Sequence, residues 1–346
     1  MHVRAALRGG LVIPGHPLAL RVSRRLDERR QRALTRYYLD AGAGGLAVGV
    51  HTTQFAIHHP KHGLLRPVLE LAIETARERR RTSTSPVMIA GVIGPTRQAV
   101  SESVVARELG YDAVLLGMQG PRSTSDDRLI ARARAVAAVA PVMGFYLQPA
   151  VGGRSLSYRF WRRFVEVEAV VAIKVAPFDR YATLDVVRAV TDSGRSGEIA
   201  LYTGNDDHIL LDLLTPMAVP KRRPLHFVGG LLGHWAFWTR KAVEHHRRCQ
   251  VAVRGGRLVS PKLLTLAGAI TDANGAVFDA THGFRGCIPG IHEILRRQGL
   301  LAGRWCLDPD EELSSGQSDE IDRVSAAYPH LNDDEFVRRH LDRWLA

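Results

Sequence analysis

Short apolar runs recur along the chain at residues 10–14, 45–50, 87–92, 113–117, 142–147, 170–175, 199–203 and 225–229, most of them bounded by glycine, proline or polar turn residues. Runs this short and this uniformly apolar read as strands buried on both faces. Between them, apolar residues repeat at helical spacing over residues 27–41, 65–81, 96–109, 125–139, 157–167, 183–193 and 206–214. Eight strands alternating with helices predict an α/β protein built as a (β/α)8 (TIM) barrel. No GxGxxG follows the first strand to favour a dinucleotide-binding sheet. Beyond the eighth strand the pattern is wholly helical, over residues 232–246, 260–271, 290–298, 318–328 and 333–345, with Asn332 and Glu335 at capping spacing before the last helix. The 346 residues exceed the roughly 250 of a plain barrel. The expectation is therefore a barrel over residues 1–247 carrying the active site, with a C-terminal helical region over 248–346 packed on it.

One polar residue interrupts the apolar pattern in an informative way. Lys174 lies inside Val170-Val171-Ala172-Ile173-Lys174-Val175-Ala176-Pro177. A lysine among aliphatics loses its hydration shell, which disfavours the ammonium and lowers its pKa. A neutral amine near the end of a barrel strand is what a class I aldolase needs to form a Schiff base with a carbonyl. The plain alternative is a strand-end lysine whose ammonium reaches solvent or an aspartate. The other lysines, Lys61, Lys221, Lys241 and Lys262, lie in polar or helical contexts.

Neighbouring strand ends add candidates. Strand five ends in Gly144-Phe145-Tyr146-Leu147-Gln148-Pro149, and Tyr146 precedes Lys174 by 28 residues, one βα repeat. A phenol at the same barrel mouth could deliver the proton that carbinolamine dehydration needs and remove one from a substrate hydroxyl; otherwise Tyr146 fills the barrel top. After strand two, His51-Thr52-Thr53-Gln54 offers hydroxyls and amides for a carboxylate, with His51 facing substrate. After strand seven, Gly204-Asn205-Asp206-Asp207 suits substrate hydroxyls, or simply caps the next helix.

Composition changes this picture little. The chain is 45% hydrophobic and 24% charged, without an apolar segment long enough to span a bilayer or a signal peptide, so it is expected to be cytoplasmic with no membrane association. Cys249, Cys287 and Cys306 are too widely spaced for a CxxC site and read as reduced thiols. The net charge of +12 comes from arginines scattered over many helices, without an aromatic-interleaved stripe, so no nucleic-acid partner is expected. Such a field would attract a carboxylate. His51, His58, His59 and His62 crowd one loop and His245-His246 lies in a helix, but no HxH or HExxH is present, so neither metal nor cofactor is expected. Gly229, Gly230 and Gly233 are read as a turn after strand eight where backbone could approach a ligand.

Together these segments resemble the dihydrodipicolinate synthase / N-acetylneuraminate lyase superfamily of Schiff-base aldolases, from about Gly10 to the end of the barrel and more weakly beyond. Ala172-Ile173-Lys174 resembles the family's Gly-Ile-Lys, and Phe145-Tyr146-(x)2-Pro149 its Tyr-Asn-x-Pro. His51-Thr52-Thr53 falls where the family has Gly-Thr-Thr-Gly-Glu, and Gly204-Asn205-Asp206-Asp207 resembles the lyase branch's Gly-x-Asp-Glu. The resemblance implies a homo-oligomer, a tetramer or dimer, acting on pyruvate or a related 2-oxo acid. Lys174 would be the nucleophile, Tyr146 the proton shuttle, Thr52 and Thr53 the carboxylate site, and Asp206 and Asp207 the hydroxyl ligands. The chain departs from the family at Gln54, at Leu116–Pro121 where synthases carry a tyrosine pair, and after Tyr146, where the synthase arginine is missing and Arg154 stands one position late. The expected activity is a lyase joining or splitting pyruvate and a hydroxylated aldehyde. A keto-deoxy sugar acid dehydratase using the same imine, and a barrel that only binds a carboxylate, are the alternatives.

Overall fold

The computed structural model describes residues 3–79, 85–121, 123–220, 222–256 and 258–346. Arg80 and Arg81, at the end of the helix predicted over 65–81, and Lys221 lie outside them. A short helix, α1 (Val3–Arg8), leads into β1 (Val12–Pro14), α2 (Glu28–Ala41), β2 (Gly45–Val48), α3 (Leu65–Arg79), β3 (Val87–Val92), α4 (Thr96–Leu109) and β4 (Ala113–Gly117). The alternation continues through α5 (Asp126–Ala137), β5 (Val142–Leu147), α6 (Tyr158–Phe164), β6 (Val170–Ala176), α7 (Arg180–Asp192), β7 (Ala200–Thr203), α8 (Ile209–Leu214) and β8 (Phe227–Leu232). Then come α9 (Thr239–Arg254), α10 (Pro261–Val277), α11 (Cys287–Arg297), α12 (Gln317–Ala327) and α13 (Asp334–Leu345).

The eight strands are parallel, each beside its neighbour in sequence, with β1 against β8. A bridge between Gly15 and Ala47, with the His16 amide donating to the Ala47 carbonyl at 2.8 Å, draws β1 onto β2 and closes the barrel. Side-chain caps start several helices: Asp27, Ser125, Ser157, Asp179 and Ser260 each accept from an amide of the first turn. Left-handed Gly42 and Gly110 end α2 and α4.

Two apolar layers result. The outer one lies between strands and helices; the inner one, with Ile13, Ala47, Ile89, Leu115, Met143, Ala172 and Leu231, fills the barrel. Helix α1, which the sequence pattern did not reveal, helps close the barrel interior: Leu7 is buried in the inner layer, and the Tyr202 hydroxyl donates to its carbonyl at 2.8 Å while accepting from the Leu11 amide at 3.2 Å. Leu7 and Leu11 sit at the N-terminal ends of the strands, so ligand access falls to the opposite, C-terminal mouth.

β8 runs three residues further than the pattern suggested. Gly229 and Gly230 lie inside the strand, where an added Cβ would approach the Leu11 carbonyl oxygen to 2.3 Å and the Trp235 ring to 2.8 Å. They are packing glycines, and the following helix begins at Thr239 instead of Leu232. Helix α8 likewise begins at Ile209, leaving Asp206 and Asp207 in the loop. The C-terminal helices pack on the barrel's helices: Tyr37 on α2 donates to the Asp333 carboxylate at 2.8 Å, and buried Trp344 donates to Asp40 at 2.7 Å. Among the described residues no helix is long and apolar enough to cross a membrane.

Candidate active site

In β6 the side chains alternate: Ile173 and Val175 join the outer layer, Ala172 and Ala176 the inner one. Lys174 shares their inward face, two residues from each. It is 8% exposed and lines a pocket at the C-terminal mouth, together with His51, Thr52, Gln148, Asp206, Cys287 and several aromatic rings. Its stem passes Gly204 so closely that a Cβ there would lie 2.7 Å from Lys174 Cε. The absence of a side chain at 204 is what gives the lysine its path.

Tyr146 does not share this pocket, which corrects the proton-shuttle expectation. In the parallel ladder Phe145 pairs with Lys174 and Tyr146 with Val175, so Met143, Phe145 and Leu147 face inward while Tyr146 faces the helices. Its ring packs on Trp161 with centroids 5.3 Å apart, and its hydroxyl donates to the Leu156 carbonyl and accepts from the Leu156 amide at 3.2 and 3.1 Å. The 28-residue spacing was correct for one repeat but said nothing about which face each side chain takes. Phe145 fills the inward position, with Lys174 Nζ 4.3 Å from its ring centroid.

The two threonines of the loop after β2 separate cleanly. Thr53 is fully buried; its hydroxyl donates to the His16 carbonyl at 2.6 Å and accepts from the amides of Gly49 and Val50. It builds the turn and does not line the pocket. Thr52 does line it, and its buried hydroxyl has no hydrogen-bond partner. Burial and the neighbouring Lys174 charge lower the His51 pKa to about 4, so its ring is neutral. Gln54 accepts from the Leu307 amide at 2.7 Å and ties the loop to the C-terminal region.

The β7 loop divides similarly. Asn205 is structural, accepting from the Phe178 amide at 3.0 Å and donating to buried Asp212. Asp207 is exposed and does not line the pocket, which corrects its expected role beside Asp206 in binding hydroxyls. Asp206 lines the pocket, and one carboxylate oxygen accepts from the His234 amide at 2.9 Å. Burial raises the Asp206 carboxyl well above the usual range, opposed by the His234 amide and by Lys174; burial lowers the Lys174 amine, opposed by Asp206. The two form no direct ion pair among the described residues, and both line the same pocket.

Residues from distant segments complete the mouth. Cys287, the first residue of α11, is held as a neutral thiol by burial and then by the Asp206 charge. Phe178 and Phe284 stack edge to face at 5.5 Å, both with left-handed backbone, φ 53° and 68°. Nothing local in the sequence marks these three, because their placement depends on tertiary packing. Arg154 donates to the Thr124 carbonyl and does not line the pocket. His58 is engaged with Gly49 and Glu102, and His246 with Val228. Among the described residues no cluster of three metal-ligating side chains forms.

Comparison with known proteins bears on this geometry. No family model matches the chain. Over 221 residues, 63% of the chain and 67% of the relative, it is 26% identical to the 4-hydroxy-tetrahydrodipicolinate synthase of Bifidobacterium longum. Its fold is shared by the dihydrodipicolinate synthase of Oceanobacillus iheyensis (TM-score 0.74, 16% identity, 95% of this chain and 100% of that one) and by the N-acetylneuraminate lyase of Fusobacterium nucleatum complexed with pyruvate (TM-score 0.71, 17% identity, 95% and 99%). The chain is thus similar in sequence to a 4-hydroxy-tetrahydrodipicolinate synthase and shares its fold with synthases and lyases of that kind. This chain combines an inward lysine on strand six with phenylalanine at the inward position beside it.

Proposed function

We propose that the protein forms a Schiff base between Lys174 and a 2-oxo acid such as pyruvate, then makes or breaks the adjoining carbon–carbon bond. The observation that carries this reading is the placement of Lys174: buried in an apolar strand, at the mouth of the barrel, with its amine pKa lowered by burial. A neutral amine there attacks the keto carbon. The partnerless Thr52 hydroxyl is the group that would hold the carboxylate, since Thr53 is fully engaged by backbone. The Fusobacterium lyase solved with pyruvate supports the choice of keto acid.

The acceptor half of the pocket favours a second reading of the aldehyde. Phe178, Phe284, Phe278 and Val151 line it, and Asp207, expected to meet sugar hydroxyls, lies outside. This mouth suits an apolar or aromatic aldehyde better than a polyhydroxylated one. The test is to incubate the enzyme with pyruvate and matched aromatic and polyhydroxylated aldehydes, following product by chromatography with Lys174→Ala as control. Faster turnover of the aromatic aldehyde supports this reading, faster turnover of the hydroxylated one returns the protein to sugar-acid chemistry, and no lysine-dependent product with either refutes the proposal.

A further inference from the structure

We propose that Asp206, in place of a tyrosine hydroxyl, transfers the protons of Schiff-base formation and of the enamine step; the inference rests on Lys174 being the nucleophile. Imine chemistry needs a group that gives a proton and takes one back within reach of the keto carbon. Phe145 occupies the inward site beside Lys174 and has no proton to exchange, while the Tyr146 hydroxyl is turned outward and bonded to Leu156. Asp206 lies in the same pocket as Lys174, with one oxygen fixed by the His234 amide and no protein donor on the other among the described residues. The fixed oxygen sets the orientation and the second is available to a bound substrate.

The remaining pocket groups are poorer candidates. The His51 ring, lowered to about 4, is already neutral and is a weak acid; burial raises the Cys287 thiol, which makes it weaker still. The titratable groups acting on Asp206 are Lys174 from β6, Asp207 beside it, and Cys287 from α11, with the His234 ring held neutral by burial on the turn after β8. Burial raises Asp206 and lowers Lys174, so the carboxylic acid and free amine that the first step needs are both accessible near neutrality.

The protons balance. The Lys174 amine adds to C2, and the carbonyl π pair moves to oxygen, which takes the proton released by the new nitrogen–carbon linkage. The resulting hydroxyl leaves as water with the Asp206 proton, giving an iminium cation opposite a carboxylate. That carboxylate then removes a C3 proton, and the C–H pair forms the enamine, returning Asp206 to its acid form. Each change of charge on the substrate is matched by the opposite change on Asp206.

The test uses the intact enzyme and pyruvate in D2O, with exchange of the C3 protons followed by NMR and borohydride adduct on Lys174 followed by peptide mass mapping. Asp206→Asn keeps an oxygen for the His234 amide but cannot cycle a proton. We expect its exchange to fall roughly 10²–10⁴-fold, adduct still to accumulate on long incubation, and Asp206→Glu to recover part of the rate. The wild-type rate should be bell-shaped in pH, its two limbs belonging to the Lys174–Asp206 pair, and Asp206→Asn should lose the alkaline limb. Near-wild-type exchange in a folded Asp206→Asn that still forms adduct overturns this proposal alone. No adduct in the folded wild type overturns the Lys174 reading and this one with it. Should Asp206→Asn not fold, the wild-type profile decides: a bell supports the pair, and a single rising limb overturns it.

Discussion

Replacing Gly204 by alanine tests whether the path of Lys174 matters. A Cβ at 204 would lie 2.7 Å from both Lys174 Cε and Ala176 Cβ, about 0.7 Å inside ordinary contact at 3.4 Å. Lys174 Cε belongs to a flexible side chain and can swing aside, but Ala176 Cβ is fixed to β6 and forces the β7 loop to move. Gly204 is not in the left-handed region, so alanine brings no backbone strain and gains about 0.4–1 kcal/mol from the unfolded chain. Overpacking costs about 1–3 kcal/mol, so the net loss of stability is small. The amine, however, shifts by close to an ångström, and misplacement on that scale lowers turnover by about 100-fold. The assay pairs thermal unfolding with the rate of borohydride-trapped adduct from pyruvate. A small change in melting temperature with a large fall in trapping rate is expected; an unchanged trapping rate would refute the claim that Gly204 sets the lysine's position.

Tyr146→Phe should leave turnover within a few-fold of wild type and cost about 1–3 kcal/mol of stability, because it strips the buried Leu156 amide and carbonyl of their partner; a drop in turnover of hundredfold or more, measured in a folded variant, would put the phenol back in the mechanism. Thr52→Val should raise KM for the 2-oxo acid by about tenfold with a smaller effect on kcat, as expected for one lost hydrogen bond to a charged group. Thr53→Val should act on denaturant midpoint instead, by about 1–3 kcal/mol or more, since three backbone groups lose their partner. The two threonines exchanging these behaviours in steady-state kinetics and denaturation would contradict the assignment.

Much of the barrel was readable because its strands are short apolar runs with turns between them, and Lys174 stood out as the one charge inside such a run. The facing of Tyr146 was not readable. A strand buried on both faces carries no polar alternation, and Phe145 and Tyr146 are equally plausible inward residues until the ladder pairs Phe145 with Lys174. β8 was misplaced because Gly229 and Gly230 look like turn residues yet are required by Leu11 and Trp235. The aromatic mouth and Cys287 arrive from the loop after β6 and from the C-terminal helices, a long-range arrangement that no local pattern encodes.

The most direct test of the account is peptide mapping after borohydride reduction of the intact protein with pyruvate. A reduced adduct on the peptide containing Lys174, on no other lysine, and absent in folded Lys174→Arg is the predicted result, since arginine keeps the charge but cannot form the imine. An unmodified Lys174 peptide in folded protein, with pyruvate and with longer 2-oxo acids alike, would contradict it.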